Sequence, residues 1–249
     1  VNNLTKPLVV DNTTLTEELS KDISDYPEGL LFVIDKPYGW TSADAVRKLK
    51  FMLQRWFGVK KIKTGHAGTL DPLATGILLI CAGKATKLAE TYQASEKEYV
   101  AGIRFGATTP SFDLEKEIDT HYPKEHITQQ DIQSVLEKHF RGPIDQIPPL
   151  FSAKLINGTR AYEIARAGKD AQIKPSTVTI HNTEILSWNP PDLTLCVKCS
   201  KGTYIRSIAR DLGTLLESGA HLISLERVSS GEFHMKNALS FEKLKPFFE

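Results

Sequence analysis

One short stretch limits this chain more than any other. Residues 76–83 read GILLICAG, an apolar run closed at both ends by glycine. The run is far shorter than the roughly 20 apolar residues that cross a bilayer, and its length and glycine boundaries suit a buried strand. A partner lies upstream, where GLLFVIDKPYGW at 29–40 is a second buried strand that ends in a Pro-Gly turn. Downstream, KEYVAGIRFG at 97–106 alternates as a strand does, and VTIHNTEILSW and LTLCVKCSKGTYI read as two more strands joined by NPPD. AHLISLERVSSGEF is a final strand.

Helices fall irregularly among these strands. One is expected through KATKLAETYQ and one within 120–142, where Thr128 and Asp131 form a capping box. Another runs through IRSIARDLGTLLESG and stops at Gly219. Helices and strands that do not alternate argue against a doubly wound parallel sheet. They predict an α+β fold with a mostly antiparallel mixed sheet flanked by helices. Residues 1–28 are polar and aperiodic, and are expected to be an extension with little structure. Residues 29–249 are expected to be one domain, since no linker, repeat or low-complexity tract divides them.

The chain has three cysteines, too few and too odd a number for a disulfide framework. Cys196 and Cys199 form CVKC, but Leu193, Leu195 and Val197 alternate through that stretch, so the two sulfurs face opposite sides of a strand. With no second CxxC and no HxxxH, the pair is not read as a metal or redox site. With no signal-like start and no spanning segment, the expected location is the cytoplasm.

A net charge of +1 says nothing about partners, but its distribution does. Residues 47–63 carry Arg47, Lys48, Lys50, Arg55, Lys60, Lys61 and Lys63 with no acid, and Lys84 and Lys87 follow. Val46, Leu49, Leu53 and Trp56 recur at helical spacing, which predicts an amphipathic helix with a basic outer face, capped by Thr41 or Ser42. Such a strip suits phosphate contacts. Next comes GHAGTLDPLATG, where Gly65 and Gly68 permit close backbone approach and Pro72 biases Asp71 toward an extended conformation. It lacks the phosphate-loop pattern GxxxxGK[ST]. In CSKGTYIRSIARDLG, Tyr204 and Arg206 stand two apart, read as one face of an extended segment, where a guanidinium could pair with a carboxylate.

Six segments in order, DKPYGWTS, GHAGTLDPLATGILLICAGKATK, KEYVAGIRFG, IPPLFSAKLINGTRAYEIARAG, CSKGTYIRSIARDLG and GAHLISLERV, resemble the successive motifs of the TruB family of tRNA pseudouridine synthases. The resemblance implies a pseudouridine synthase catalytic domain that isomerises uridine 55 in the tRNA T-loop, without cofactor or metal. It implies Asp71 as nucleophile, Tyr99 as the platform under the target base, Tyr204 near C5 and Arg206 paired with the aspartate. It also implies that His66 fills the place of the flipped nucleotide, that Lys36 and Lys87 lie near the site, and that Leu225 walls it. The partner is the T-arm of tRNA, the protein acts as a monomer, and the small C-terminal RNA-binding domain of the PUA type is expected to be missing.

In GATTPSFDLEKEID the family pattern is altered. Pro110 follows Thr109, and Lys116 stands where glycine is common, while Asp113 is kept. Two other classes compete with the enzyme: a non-catalytic tRNA-binding protein or folding chaperone, and a phosphohydrolase with a nucleophilic aspartate. The second wants further carboxylates for Mg²⁺, and no Asp or Glu lies within ten residues of Asp71 on either side.

Overall fold

The computed structural model describes residues 6–15, 19–152, 154–156, 158–166 and 173–248. In chain order its elements are β1 (Leu8–Val10), β2 (Leu30–Lys36), α1 (Ser42–Trp56), β3 (Thr64–His66), β4 (Ala74–Ala82) and α2 (Ala89–Ala94). There follow β5 (Lys97–Phe105), β6 (Ala107–Thr108), β7 (Thr120–His121), α3 (Gln129–His139), β8 (Gly142–Gln146), β9 (Leu155–Ile156), β10 (Thr159–Arg160) and α4 (Ala161–Arg166). The last are β11 (Ser176–Asn189), β12 (Asp192–Cys199), α5 (Ile205–Leu215), β13 (Ala220–Ser230), β14 (Phe233–His234) and α6 (Phe241–Phe248).

The chain divides into two compact units, Val1–Lys97 with Glu226–Glu249, and Glu98–Leu225. Neither boundary carries a linker signal, and the second falls inside β13. This is more division than the undivided domain expected for 29–249.

In the first unit the strand order is β1-β2-β4, then the 226–230 half of β13. β2 and β4 run antiparallel from Leu30 opposite Ala82 to Lys36 opposite Gly76. β4 is buried along almost all its length, which is why GILLICA is apolar without alternation. Its Ile77, Leu79 and Cys81 pack with Leu31, Val33 and Phe233 in one core. α1 begins as expected at Thr41, whose side chain accepts from the Asp44 N–H while the Asp44 carboxylate accepts from the Thr41 N–H. Ala45, Leu49, Met52 and Leu53 face inward, and Arg47, Lys48, Lys50 and Arg55 face solvent.

Residues 1–28 hold more structure than their composition suggested. β1 pairs in parallel with β2, and Val10 and Leu15 are buried. The Trp56 indole N–H donates to the Ser20 carbonyl at 3.3 Å, and Tyr26 packs edge-on against Phe57. Residues 1–5 and 16–18 of that expectation lie outside the described residues. The expected helix 84–93 is also refined, into a 3₁₀ stretch, Gly83–Leu88, that leads into α2.

In the second unit the 220–225 half of β13 leads an order through β5, β12, β11 and β8. α3 and α5 cover this sheet, placing Ile132, Leu136, Ile205, Ile208 and Leu212 in a core with Ile103, Phe105, Leu195 and Val197. The capping box of α3 joins Thr128 and Asp131 as expected. β11 and β12 form the hairpin expected around NPPD. Cys196 is half-buried and Cys199 buried on β12, and the Cys196 thiol donates to Glu98 at 3.2 Å. Burial, and then Glu98, push that thiol up to about 12. Within IPPLFSAKLINGTRAYEIARAG, Ala153, Asn157, Ala167 and Gly168 lie outside the described residues.

Candidate active site

The first unit supplies Asp71, and nearly everything around it serves to fix its loop. β3 enters that loop through His66, opposite Ile80 of β4. Ser42, the first residue of α1, clamps the main chain just before Asp71. Its hydroxyl accepts from the Leu70 N–H at 2.8 Å and donates to the Leu70 carbonyl at 3.0 Å. Just after Asp71, the Pro72 carbonyl accepts from the Gly39 N–H at 2.9 Å and from the Lys36 ammonium at 3.3 Å. The Asp71 carbonyl accepts from the Ala74 N–H.

Lys36 ends β2 with its side chain wholly buried. Its ammonium also donates to the carbonyls of Pro37 and Trp40, at 2.9 and 2.6 Å. Burial pushes its pKa down to about 8, against the attraction of Asp71 first and then Asp35. A cation held this way stabilises a neighbouring carboxylate's charge.

The other anchor is Arg227, on β13, whose side chain is only 1% exposed. Its Nε donates to the Ile77 carbonyl at 2.7 Å, and its terminal nitrogens donate to Gly68 and Thr69, at 3.1 and 3.4 Å. Gly76 makes the approach possible, because a Cβ there would lie 2.4 Å from the Arg227 carbonyl oxygen. Its φ of +94° also favours glycine. Gly68, inside the loop, likewise adopts φ +98°. Sequence reading missed both Ser42 as a clamp and Arg227. The apolar alternation of β13 marks Arg227 as nothing more than a polar interruption.

His66 is half-buried, and its Nδ1 is buried without a hydrogen-bond partner among the described residues. Burial, and then the Arg227 charge, hold its pKa below the ordinary histidine value, so the ring is neutral at physiological pH. Lys87 is exposed in the 3₁₀ stretch after β4. Of the basic strip, Lys60, Lys61 and Lys63 are exposed, whereas Lys84 pairs with Glu28 at 2.7 Å and Arg47 pairs with Asp44.

The second unit supplies Tyr99, Tyr204, Arg206 and Leu225. Tyr99 on β5 and Leu225 on β13 are half-buried and pack on the same core, which leaves part of each side chain at the surface. Tyr204 and Arg206 do not lie on an extended segment. Tyr204 is the N-cap of α5, and Arg206 belongs to its first turn. The apolar residues at 205, 208, 209 and 212 carry the helical period that wins over the extended reading. Tyr204 caps the helix without a side-chain bond of its own. Instead Gln146, at the end of β8, accepts from the Tyr204 N–H at 2.8 Å and donates to its carbonyl at 3.1 Å. Sequence reading also passed over Gln146.

Arg206 is buried, donating to the carbonyls of Phe151 at 2.9 Å and Ser111 at 3.3 Å, with Nε 3.7 Å from the Asp113 carboxylate. Asp113, the acid kept in the altered loop, thus reaches the guanidinium. The Thr109 hydroxyl fixes the same turn by donating to the Asp113 carbonyl at 2.7 Å. Phe112 takes φ +61° there and lies under Arg210, 5.1 Å from its ring centroid. Lys116, at the second altered position, extends over Phe151 at 5.5 Å.

Among the described residues no group of three or more His, Cys, Asp or Glu is arranged to hold a metal, and no helix is long and apolar enough to cross a membrane. The first unit can present one fixed carboxylate beside a buried cation. The second can present two tyrosines and an anchored guanidinium.

Residues 54–205 match the model for the TruB family pseudouridylate synthase, N-terminal domain. The chain is 50% identical over 225 residues to a tRNA pseudouridine synthase B of Phocaeicola vulgatus, covering 90% of this chain and 95% of that one. It is 51% identical over the same length to the protein of that name from Parabacteroides distasonis, again covering 90% and 95%. Among solved structures it is similar to a chain in a Cbf5-Nop10-Gar1 complex, at 28% identity and a TM-score of 0.66, over 87% of this chain and about half of that chain, 53%. With the family model covering more than half its length, the chain belongs to the TruB family of pseudouridylate synthases.

Proposed function

We propose that this protein converts a uridine of tRNA, that at position 55 in the T-loop, to pseudouridine, with Asp71 as the nucleophile. The reaction breaks the C1′–N1 bond and forms C1′–C5, while C5 loses a proton and N1 gains one, so no atom is gained or lost. It needs a group that attacks, waits while the uracil turns, and leaves again, which a carboxylate does well. The observation that carries the reading is the fixation of the Asp71 loop. Ser42, Lys36 and Arg227 hold the main chain on both sides of one carboxylate, and a nucleophile gains most from that kind of positioning.

The remaining residues take the roles the chemistry requires. Extruding the uridine costs a few kcal/mol, and stacking on Tyr99 returns roughly 1–3 kcal/mol. His66, a neutral half-buried ring, suits the vacated place in the stack, where a charged ring would be costly. Tyr204 serves the proton removal at C5, and Gln146 orients it through the main chain. Arg206 keeps the nucleophile ionised, Leu225 walls the base, and Lys87 joins the basic strip against phosphates. The protein acts as a monomer and without a cofactor.

Mapping pseudouridine in an unmodified tRNA transcript tests this. The wild-type protein should place one pseudouridine at position 55. Asp71→Asn, checked by mass spectrometry for deamidation, should lose at least ~10³-fold in rate while tRNA affinity stays within a few-fold. Turnover by that variant near the wild-type rate would overturn the assignment, and would leave a tRNA-binding protein whose chemistry lies elsewhere.

A further inference from the structure

The first unit carries a second feature suited to RNA, outside the Asp71 loop. α1 and α6, with the 37–40 turn, enclose a pocket of about 330 Å³. Aromatic rings make much of its lining. Trp40 and Phe241 pack with centroids 5.3 Å apart and planes tilted by 31°, and Phe51 stands on the rim, 57% exposed. An exposed aromatic ring at that level is not explained by the core of the unit. Lys48, Arg55 and Lys245 also line the pocket, against one acid, Glu242. Arg55 lies over the face of Phe51 at 5.8 Å.

Resting on the tRNA reading above, we infer that this pocket binds one unpaired nucleotide of the substrate tRNA, distinct from the uridine that reacts. Three arguments point to that occupant. The pocket is at the lower end of the size range for small-ligand sites, which suits one nucleoside rather than a folded element. Rings below and cations at the mouth match the two chemistries of a nucleotide, a base that stacks and a phosphate that pairs. The pocket also continues the basic strip of α1 and shares its 37–40 wall with the lysine that holds Pro72, the neighbour of Asp71. A nucleotide seated there is therefore bound on the same scaffold that fixes the catalytic loop. Duplex RNA does not fit, because its bases are stacked and paired and only backbone reaches the protein.

The test has two readouts on the full chain with a tRNA transcript. Phe51→Ala truncates an exposed ring, so folding should survive. KM should rise about 5- to 100-fold, the range that corresponds to one stacked base, with kcat changed less than twofold. Phe51→Tyr should restore KM, and Lys48→Gln with Arg55→Gln should raise it. Independently of turnover, Phe51→p-benzoylphenylalanine should photo-crosslink to an unpaired nucleotide of bound tRNA. An unchanged KM in Phe51→Ala, or crosslinks confined to paired stems or to a second protein copy, would overturn the pocket's assignment. If the wild-type protein makes no pseudouridine, the functional reading fails, and the crosslink still decides the pocket.

Discussion

Lys36 is buried as a cation, and that makes its contribution to stability depend on pH in a direction that can be worked out beforehand. Its pKa falls from an ordinary 10.5 to about 8, first because burial removes water from the ammonium. At 1.36 kcal/mol per pH unit, keeping it charged in the folded state costs about 3 kcal/mol at neutral pH. Between pH 8 and 10.5 the unfolded chain holds this proton and the folded chain does not. Stability therefore rises with pH across that window, and below pH 8 the full cost is present. Integrated from pH 7 to 9.5, the gain is about 2 kcal/mol. Lys36→Met supplies the reference. It keeps most of the volume and abolishes the titration, while the loss of donors to the carbonyls of Pro37, Trp40 and Pro72 adds an offset that does not vary with pH. Urea unfolding of both proteins at closely spaced pH values gives the difference in stability. That difference should move toward wild type by about 2 kcal/mol, with a slope approaching 1.4 kcal/mol per pH unit above pH 8. A difference that stays flat, within the roughly 10–15% uncertainty of such extrapolations, would refute the claim that Lys36 is a buried charge.

Three further outcomes follow from the same geometry. Arg227→Gln leaves at least two of the carbonyls of Gly68, Thr69 and Ile77 without a donor, and should lower unfolding free energy by about 2–5 kcal/mol. Measured where it is still folded, it should lower kcat more than it raises KM, and a pure KM effect would mean the arginine does not position the loop. Gln146→Leu strips two hydrogen bonds from the main chain of Tyr204 and should cost about 1–3 kcal/mol in urea unfolding, with slower single turnover at saturating tRNA. An unaltered single-turnover rate would show that Tyr204 is held by its helix alone. Replacing Lys60, Lys61 and Lys63 with Gln should flatten the slope of log affinity against log salt by about 2–3, as expected for three lost phosphate contacts. An unchanged slope would make these lysines a solvated face.

Where the sequence was readable, one local rule dominated. β2, β4 and β5 are apolar or alternating runs closed by Gly or Pro. α1 and α3 begin at threonines with an aspartate three residues on, and both capping boxes form. β1 escaped because three residues, LVV, carry no period, and only the edge of β2 gives them a partner. Tyr204 and Arg206 were read as extended because a two-residue spacing was weighed ahead of the helical period that follows it. The altered loop escaped for a related reason, since Thr109 and Asp113 build its turn through hydrogen bonds that composition does not announce.

The candidate site divides along the same line. A residue that would touch substrate must carry special chemistry, so Asp71, Tyr99, Tyr204 and His66 stand out from their surroundings by type. A residue that positions them needs only donors, and it can donate to main chain, which leaves no mark at the other end. Arg227 binds carbonyls 150 to 159 residues away in the chain, and Gln146 binds main chain 58 residues away. Neither partner could be identified by side-chain type, because any residue supplies a carbonyl. One trace does survive on the receiving side, at Gly76, where a Cβ would collide with the Arg227 main chain. A glycine that interrupts a buried strand signals close backbone approach, and here what approaches is the arginine that holds the nucleophile's loop. The glycine was therefore the legible half of an interaction whose other half only the fold could supply.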